Sequence, residues 1–161
     1  MSIRSASKAV IERDGHILLQ RCRTRYSGEF YELPGGGQHQ YETMEQAVIR
    51  ECLEETGYTV TVERFLALHE EIMASASLRR RFPNHTHRIF HIFLCRLTDA
   101  APIKPTETDF RQIGIEWIPL DTLPTVTLRP SALKSVLPDL LQKGGTAYIK
   151  SNIIGNISRP K

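Results

Sequence analysis

Apolar and polar residues alternate with period two through residues 5–21, with Ala9, Ile11, Ile17 and Leu19 on apolar positions and Asp14-Gly15 between the two halves. Alternation at that period suits a strand with a buried face, and Asp-Gly supplies a two-residue turn, so the segment predicts an antiparallel hairpin. The pattern then breaks. Residues 21–37 read as a loop containing Tyr26, Gly28 and the run Leu33-Pro34-Gly35-Gly36-Gly37, whose glycines open backbone conformations that side chains forbid. A helix is predicted from about Thr43. Thr43 and Gln46 form a capping box at its start, and Gly57 stands where a left-handed C-terminal residue is expected.

Residues 59–70 and 88–97 are rich in Val, Ile, Leu and Phe and predict two strands, bridged by a polar, Arg-rich connection over 74–87. A further strand is predicted at 114–118, with Trp117 its largest residue. Residues 131–143 carry Leu133, Val136, Leu137, Leu140 and Leu141 at the spacing of an amphipathic helix, which Gly144-Gly145 ends and Pro138 is expected to divide or kink. Strands interspersed with a few helices predict an α+β arrangement, a sheet between helices. The expected organisation is one domain over residues 1–143, with 144–161 either a tail or an added strand near 147–149.

Composition leaves this picture unchanged. A chain of 161 residues with 40% hydrophobic and 24% charged residues is an ordinary globular one, and a net charge of +3 fits an anionic ligand without demanding it. Cys22, Cys52 and Cys95 are odd in number and widely spaced, which argues against a disulfide framework or a structural zinc site. Residues 1–10 lack the apolar stretch of a signal peptide, and His91 and Arg96 interrupt the densest apolar run, so a cytoplasmic protein with no membrane association is expected.

The first helix carries a cluster of carboxylates. At about 100 degrees per residue, Glu51, Glu54 and Glu55 fall on the side of Met44, Ala47 and Val48. A second apolar sector, Ile49, Cys52 and Leu53, lies roughly opposite, so the helix is expected to be covered on both sides. Carboxylates at i, i+3 and i+4 repel one another and need a counter-charge. Arg50 supplies one, four residues before Glu54, but one cation does not neutralise three carboxylates. A hard divalent ion does, because Mg²⁺ takes oxygen ligands and keeps positions free for water and phosphate oxygens. The glycine turn ahead of the helix lets backbone groups approach a phosphate or a metal closely.

Taken together, Gly36, Glu42, Arg50, Glu51, Glu54, Glu55 and Gly57 resemble the Nudix box, and every fixed position of that motif is matched. A chance match anywhere in the chain has a probability on the order of 10⁻⁷ to 10⁻⁶ at ordinary residue frequencies. The lead-in Tyr31-Glu32-Leu33-Pro34-Gly35-Gly36 and the late Trp117-Ile118-Pro119-Leu120-Asp121 are also similar to the family pattern. Departures stand at Cys52 and Tyr58, normally aliphatic, and at His39 and Tyr41, where an acidic residue and a glycine are common. The resemblance implies an α/β/α sandwich around a mixed β-sheet, and hydrolysis of a nucleoside diphosphate linked to another moiety by attack of water at phosphorus. It implies Mg²⁺ as cofactor, with Mn²⁺ able to substitute. Glu51 and Glu55 are the first candidates for metal ligands, with the Gly36 carbonyl a further ligand by resemblance. Glu54 is a third ligand or the general base, a role for which Glu107 in the loop before the late strand is the alternative. Arg50 and Glu42 are expected to support the site, with Glu42 either a structural partner of Arg50 or a metal ligand through water.

On the substrate side, the basic run Arg79, Arg80 and Arg81, with His85 and His87 nearby, is a phosphate contact or a solvated charge run. Tyr26, Phe30 and Tyr31 are stacking candidates or packing residues. His91 reads as a core histidine. The expected substrate is a small nucleotide: a nucleoside triphosphate, ADP-ribose or a similar nucleotide sugar. Two alternatives stand beside it, removal of pyrophosphate from an RNA 5′ end and nucleotide sensing without hydrolysis. Whether the chain forms a homo-oligomer is open.

Overall fold

Asp14 and Gly15 take φ of 52° and 74°, the left-handed pair that closes a tight hairpin between β1 (Arg4–Arg13) and β2 (His16–Thr24). In the computed structural model, which describes residues 3–98 and 101–154, the chain continues through β3 (Gly28–Glu32), α1 (Met44–Thr56), β4 (Val60–Met73), α2 (Ala76–Arg81) and β5 (His87–Leu97). It ends with β6 (Gln112–Pro119), β7 (Leu128–Arg129), α3 (Leu133–Lys143) and β8 (Ala147–Ile154). The sheet runs β7-β3-β2-β1-β5-β4-β8, with β6 paired to β2. It is mixed. β1–β5, β4–β8 and β3–β7 are parallel, whereas the pairs of β2 with β1, β3 and β6 and of β4 with β5 are antiparallel.

β1 is buried on both faces, and its period-two alternation sorts residues between two cores. Ala6 and Val10 join a cluster with Leu133, Leu137 and Leu140 of α3, while Ala9 and Ile11 join a second cluster with Val48 and Cys52 of α1. Helices thus cover opposite faces of the sheet, as the α+β reading expects. β1 registers with β2 only near the turn, at Glu12 and Arg13. Its freed edge takes up the glycine segment instead: Ser7 N–H donates to the Gly36 carbonyl and Ala9 N–H to that of Pro34, each at 2.9 Å, and Gln38 N–H donates to the Ser5 carbonyl at 3.2 Å. The glycine segment thus runs along β1 immediately before α1 begins.

Both predicted caps of α1 form. Thr43 and Gln46 close a reciprocal capping box, and Gly57 adopts φ 75° with its N–H on the Leu53 carbonyl. A Cβ at Gly57 would also collide with the Ile103 carbonyl. The loop beyond β5 therefore docks on the end of α1, with Ile103 N–H on the Gly57 carbonyl and Thr106 and Glu107 N–H both on that of Glu54, at 2.9, 3.0 and 3.1 Å.

Four expectations need correction. Residues 21–37 are not all loop, because β2 continues to Thr24 and β3 pairs with it from Gln20↔Glu32 to Thr24↔Gly28; the glycines masked a short strand. The Arg-rich connection folds its centre into α2, capped by the Ser75 hydroxyl. Of the two outcomes expected at Pro138, division does not occur, and α3 runs through it. Its missing N–H and ring clash cost about 3 kcal/mol, but burial of Leu133, Leu137 and Leu140 contributes roughly 1.5–3 kcal/mol each. Finally, α1 is covered on one side. Cys52 lies in the same core as Val48, with Ile49 at its rim, so the two apolar sectors form one broad face against the sheet. The end of the chain supplies β8, which extends the sheet in parallel beside β4; positions 155–161 of the predicted tail lie outside the described residues. Among those residues, no helix is long and apolar enough to cross a membrane.

Candidate active site

Arg50 organises the polar face of α1. Its Nε and Nη2 donate to the two oxygens of Glu42 at 2.8 and 3.0 Å, its Nη1 donates to Glu51 at 2.9 Å and Glu54 at 3.0 Å, and Nη2 also reaches the Gly37 carbonyl at 3.0 Å. One planar guanidinium therefore ties the turn to the helix, a task for which its fixed fork of donors suits it. These hydrogen bonds, with one from His39 N–H, hold the Glu42 carboxyl at about 2 against the opposing effect of burial, and they raise the Arg50 pKa further above its ordinary value.

Glu55 lies deeper. One carboxylate oxygen accepts Gly35 N–H at 2.8 Å and the Gln20 side-chain amide. Burial nevertheless pushes its pKa up to about 7, a rise that the nearby Lys8 charge and the Gly35 N–H only partly oppose. Lys8 donates to the Leu33 and Gly35 carbonyls, and Gln112 donates to the Glu55 carbonyl at 2.9 Å. The turn itself requires glycine. Gly35 has φ 123° and a Cβ there would strike the Ser7 carbonyl, while one at Gly36 would strike the Glu51 carboxylate. A recess of about 270 Å³ opens beside Glu55, lined by Pro105, Thr108, Gln112 and Ile113.

Glu51, Glu54, Glu55, Gly36, Arg50 and Glu42 are thus brought together around the turn. Their oxygen-only donor set fits a hard divalent cation. A cationic group already stands among them, since Arg50 Nη1 bridges Glu51 and Glu54. Among the described residues no three acidic, histidine or cysteine side chains converge into a finished metal cage, because Arg50 holds Glu51 and Glu54 while Gln20 and Gly35 hold Glu55. The Gly36 carbonyl accepts Ser7 N–H and retains a second lone pair.

The remaining candidates scatter. Glu107 is exposed and meets α1 through its backbone N–H. Arg80 is exposed on α2, and among the described residues no hydrogen bond or ion pair joins it to the carboxylates. Tyr31 donates its hydroxyl to Glu116 at 2.8 Å. Phe30 is fully buried beneath the Arg129 guanidinium, 3.9 Å from its ring, which removes it as a stacking residue. Tyr26 is exposed, and His91 is half-buried with Nδ1 3.3 Å from the Ala6 carbonyl. The three cysteines are free and buried. Tyr58 packs edge-on to Trp117 at 6.1 Å, and Tyr41 stands fully exposed at φ 66°.

Sequence reasoning missed Lys8, Gln20 and Arg4. Lys8 lies between Ala6 and Val10 on one face of β1, and Gln20 follows Leu18 on one face of β2. Each is a polar break in an apolar alternation, the one signal available for them. Arg4 contacts His85 Nδ1 at 3.3 Å, and its guanidinium lies in the space a Cβ on Gly37 would take.

The family model of the NUDIX domain matches residues 1–140. A CTP pyrophosphohydrolase of Escherichia coli is 41% identical over 63 residues, 38% of this chain and 47% of that protein. A Caenorhabditis elegans nudix hydrolase is 32% identical over 101 residues, 63% of this chain and 23% of the other. The chain thus matches less than half the length of these curated relatives. Among solved structures, a MutT NUDIX hydrolase from Burkholderia pseudomallei is 31% identical with TM-score 0.57, covering 75% of this chain and 86% of its own. A NUDIX hydrolase from Nitrosomonas europaea superposes with TM-score 0.71 at 21% identity, covering 90% and 93%, a likeness of fold.

Proposed function

Since the chain belongs to the Nudix family, whose members hydrolyse pyrophosphate bonds, we propose that it is a metal-dependent pyrophosphohydrolase cleaving the phosphoanhydride bond of a nucleoside diphosphate derivative by attack of water at phosphorus. The observation that carries this reading is the gathering of Glu51, Glu54 and Glu55 beside the Gly35–Gly37 turn, with Arg50 linking turn to helix. Glu51, Glu55 and the Gly36 carbonyl would hold Mg²⁺ or Mn²⁺. Such an ion supplies charge neutralisation for the pyrophosphate and a lowered pKa for water.

The chain's own groups divide the remaining work. Glu54 is the more exposed of the two carboxylates on Arg50 Nη1, with its side chain 28% accessible against 14% for Glu51. In this reading Glu54 takes the proton of the attacking water, a role supported by the hydrogen bonds of Thr106 and Glu107 N–H to its carbonyl, which fix its backbone. Glu107 is the second choice for that role, because its loop is anchored to the same turn of helix. The substrate class favoured is a nucleoside triphosphate, on the likeness to the CTP pyrophosphohydrolase.

The test is a panel of nucleoside triphosphates, ADP-ribose and nucleotide sugars with Mg²⁺ and product identification. Turnover that falls roughly 100-fold or more in Glu54→Gln is expected. Absence of turnover across the panel, with Mg²⁺ and with Mn²⁺, would overturn the reading.

A further inference from the structure

β1 and β5 run parallel with Arg4 opposite Arg88, so two cationic side chains share one face of adjacent strands. Like charges in that relation repel. One carboxylate, Glu71, answers one of them: it is buried and ion-paired to Arg88, which also lies 5.1 Å from the Phe90 ring centre. Arg4 has no carboxylate partner among the described residues. Its Nη1 meets His85 Nδ1, an acceptor while the imidazole is neutral. Partial burial and then the charges of Arg4 and Arg88 hold the His85 pKa below its ordinary value.

Arg4 also has a definite place relative to the carboxylates. Its guanidinium lies against Gly37, in the space that a side chain at that position would fill. The Gly37 carbonyl accepts from Arg50 Nη2, the guanidinium that also holds Glu42. Arg4 and the Arg50–carboxylate system therefore flank the same residue of the turn. Lys8, on the same face of β1 and four residues on, donates to the Leu33 and Gly35 carbonyls, and among the described residues no ion pair joins it to a carboxylate. β1 thus presents excess positive charge along the edge that carries the glycine segment. The sequence places its arginine run on α2, whereas the fold brings a single arginine from the start of β1 to the turn.

We propose that Arg4, with His85 and Arg88 beside it, receives the terminal phosphate of a polyphosphate substrate, so that this side of the Gly37 turn selects a nucleoside triphosphate over a nucleotide sugar. The proposal rests on the pyrophosphohydrolase reading and deepens it by naming the group that confers selectivity. A terminal phosphate offers oxygens to the free guanidinium nitrogens and relieves the Arg4–Arg88 repulsion. The distal sugar of a nucleotide sugar carries no such charge.

The experiment compares KM and kcat of wild type, Arg4→Met and Arg4→Lys for a nucleoside triphosphate and for ADP-ribose, and measures inorganic tripolyphosphate binding calorimetrically. The expected result is a rise of about tenfold or more in the triphosphate KM of Arg4→Met, equivalent to about 1.4 kcal/mol. The ADP-ribose KM should be little changed, tripolyphosphate affinity should fall in parallel, and Arg4→Lys should recover part of the loss. Equal changes for both substrates, or unchanged tripolyphosphate binding, overturn the proposal. If Arg4→Met does not fold, His85→Ala and Arg4→Lys are put through the same comparison, and a tripolyphosphate affinity equal to wild type in both overturns it. Should wild type hydrolyse nothing, the pyrophosphohydrolase reading fails, and the calorimetric comparison still judges the anion site by itself.

Discussion

Glu55 links proton binding to stability. With burial raising its carboxyl pKa from 4.5 to about 7, the folded metal-free protein binds this proton more tightly than the unfolded chain does. The stabilising effect of the protonated form is complete below pH 4.5, declines as pH rises, and is gone above about pH 7. A shift of this size corresponds to about 3 kcal/mol, or roughly 6–12 °C in Tm for a chain of this length. Glu55→Gln removes the titration while keeping an oxygen to accept the Gly35 N–H and Gln20 amide. Other groups titrate nearby: His85 and His91 have lowered pKa values, so they act in the opposite direction. The informative quantity is therefore wild type minus Glu55→Gln, measured by urea denaturation in EDTA from pH 4.5 to 8. That difference should fall by about 3 kcal/mol across the range. A flat difference would refute the account of Glu55 as a carboxyl desolvated beside the turn.

Two further substitutions probe the frame around the carboxylates. Arg50→Lys keeps the charge but loses the paired donation to Glu42, and it should cost about 1–3 kcal/mol in denaturant unfolding at pH 7; stability equal to wild type would mean that the link between turn and helix is not a structural tie. Gly57→Ala places a Cβ at φ 75° against the Ile103 carbonyl, so it should destabilise by about 2 kcal/mol and speed amide exchange at Thr106 and Glu107. An effect under about 0.5 kcal/mol would show that the loop does not dock there.

What the sequence discloses here is what neighbours in the chain determine. The Asp14-Gly15 hairpin, the Thr43–Gln46 box and the Gly57 cap all rest on contacts within a few residues, and all form as read. The carboxylates were legible through their helical spacing. β3 was not, because its glycine and polar positions resemble those of a loop and hide a short hairpin with β2, while its second neighbour, β7, lies about a hundred residues away in the chain. Pro138 misled for a related reason, since its local penalty is outweighed by leucines whose partners lie on distant strands. Lys8 and Arg4 approach the turn only because β1 parts from β2 and takes up residues 34–38 along its edge. Phe30 and Tyr31 differ by one position on a strand, and that single step places one in the core and the other against Glu116.

Water attack at phosphorus promoted by the α1 carboxylates leaves an isotopic signature, read by turnover of a nucleoside triphosphate in ¹⁸O-enriched water with Mg²⁺. Label is expected to enter a phosphate group of one product, and Glu54→Gln to slow its appearance by roughly 100-fold or more. Products formed without label, or labelled at the same rate by Glu54→Gln, would contradict that mechanism.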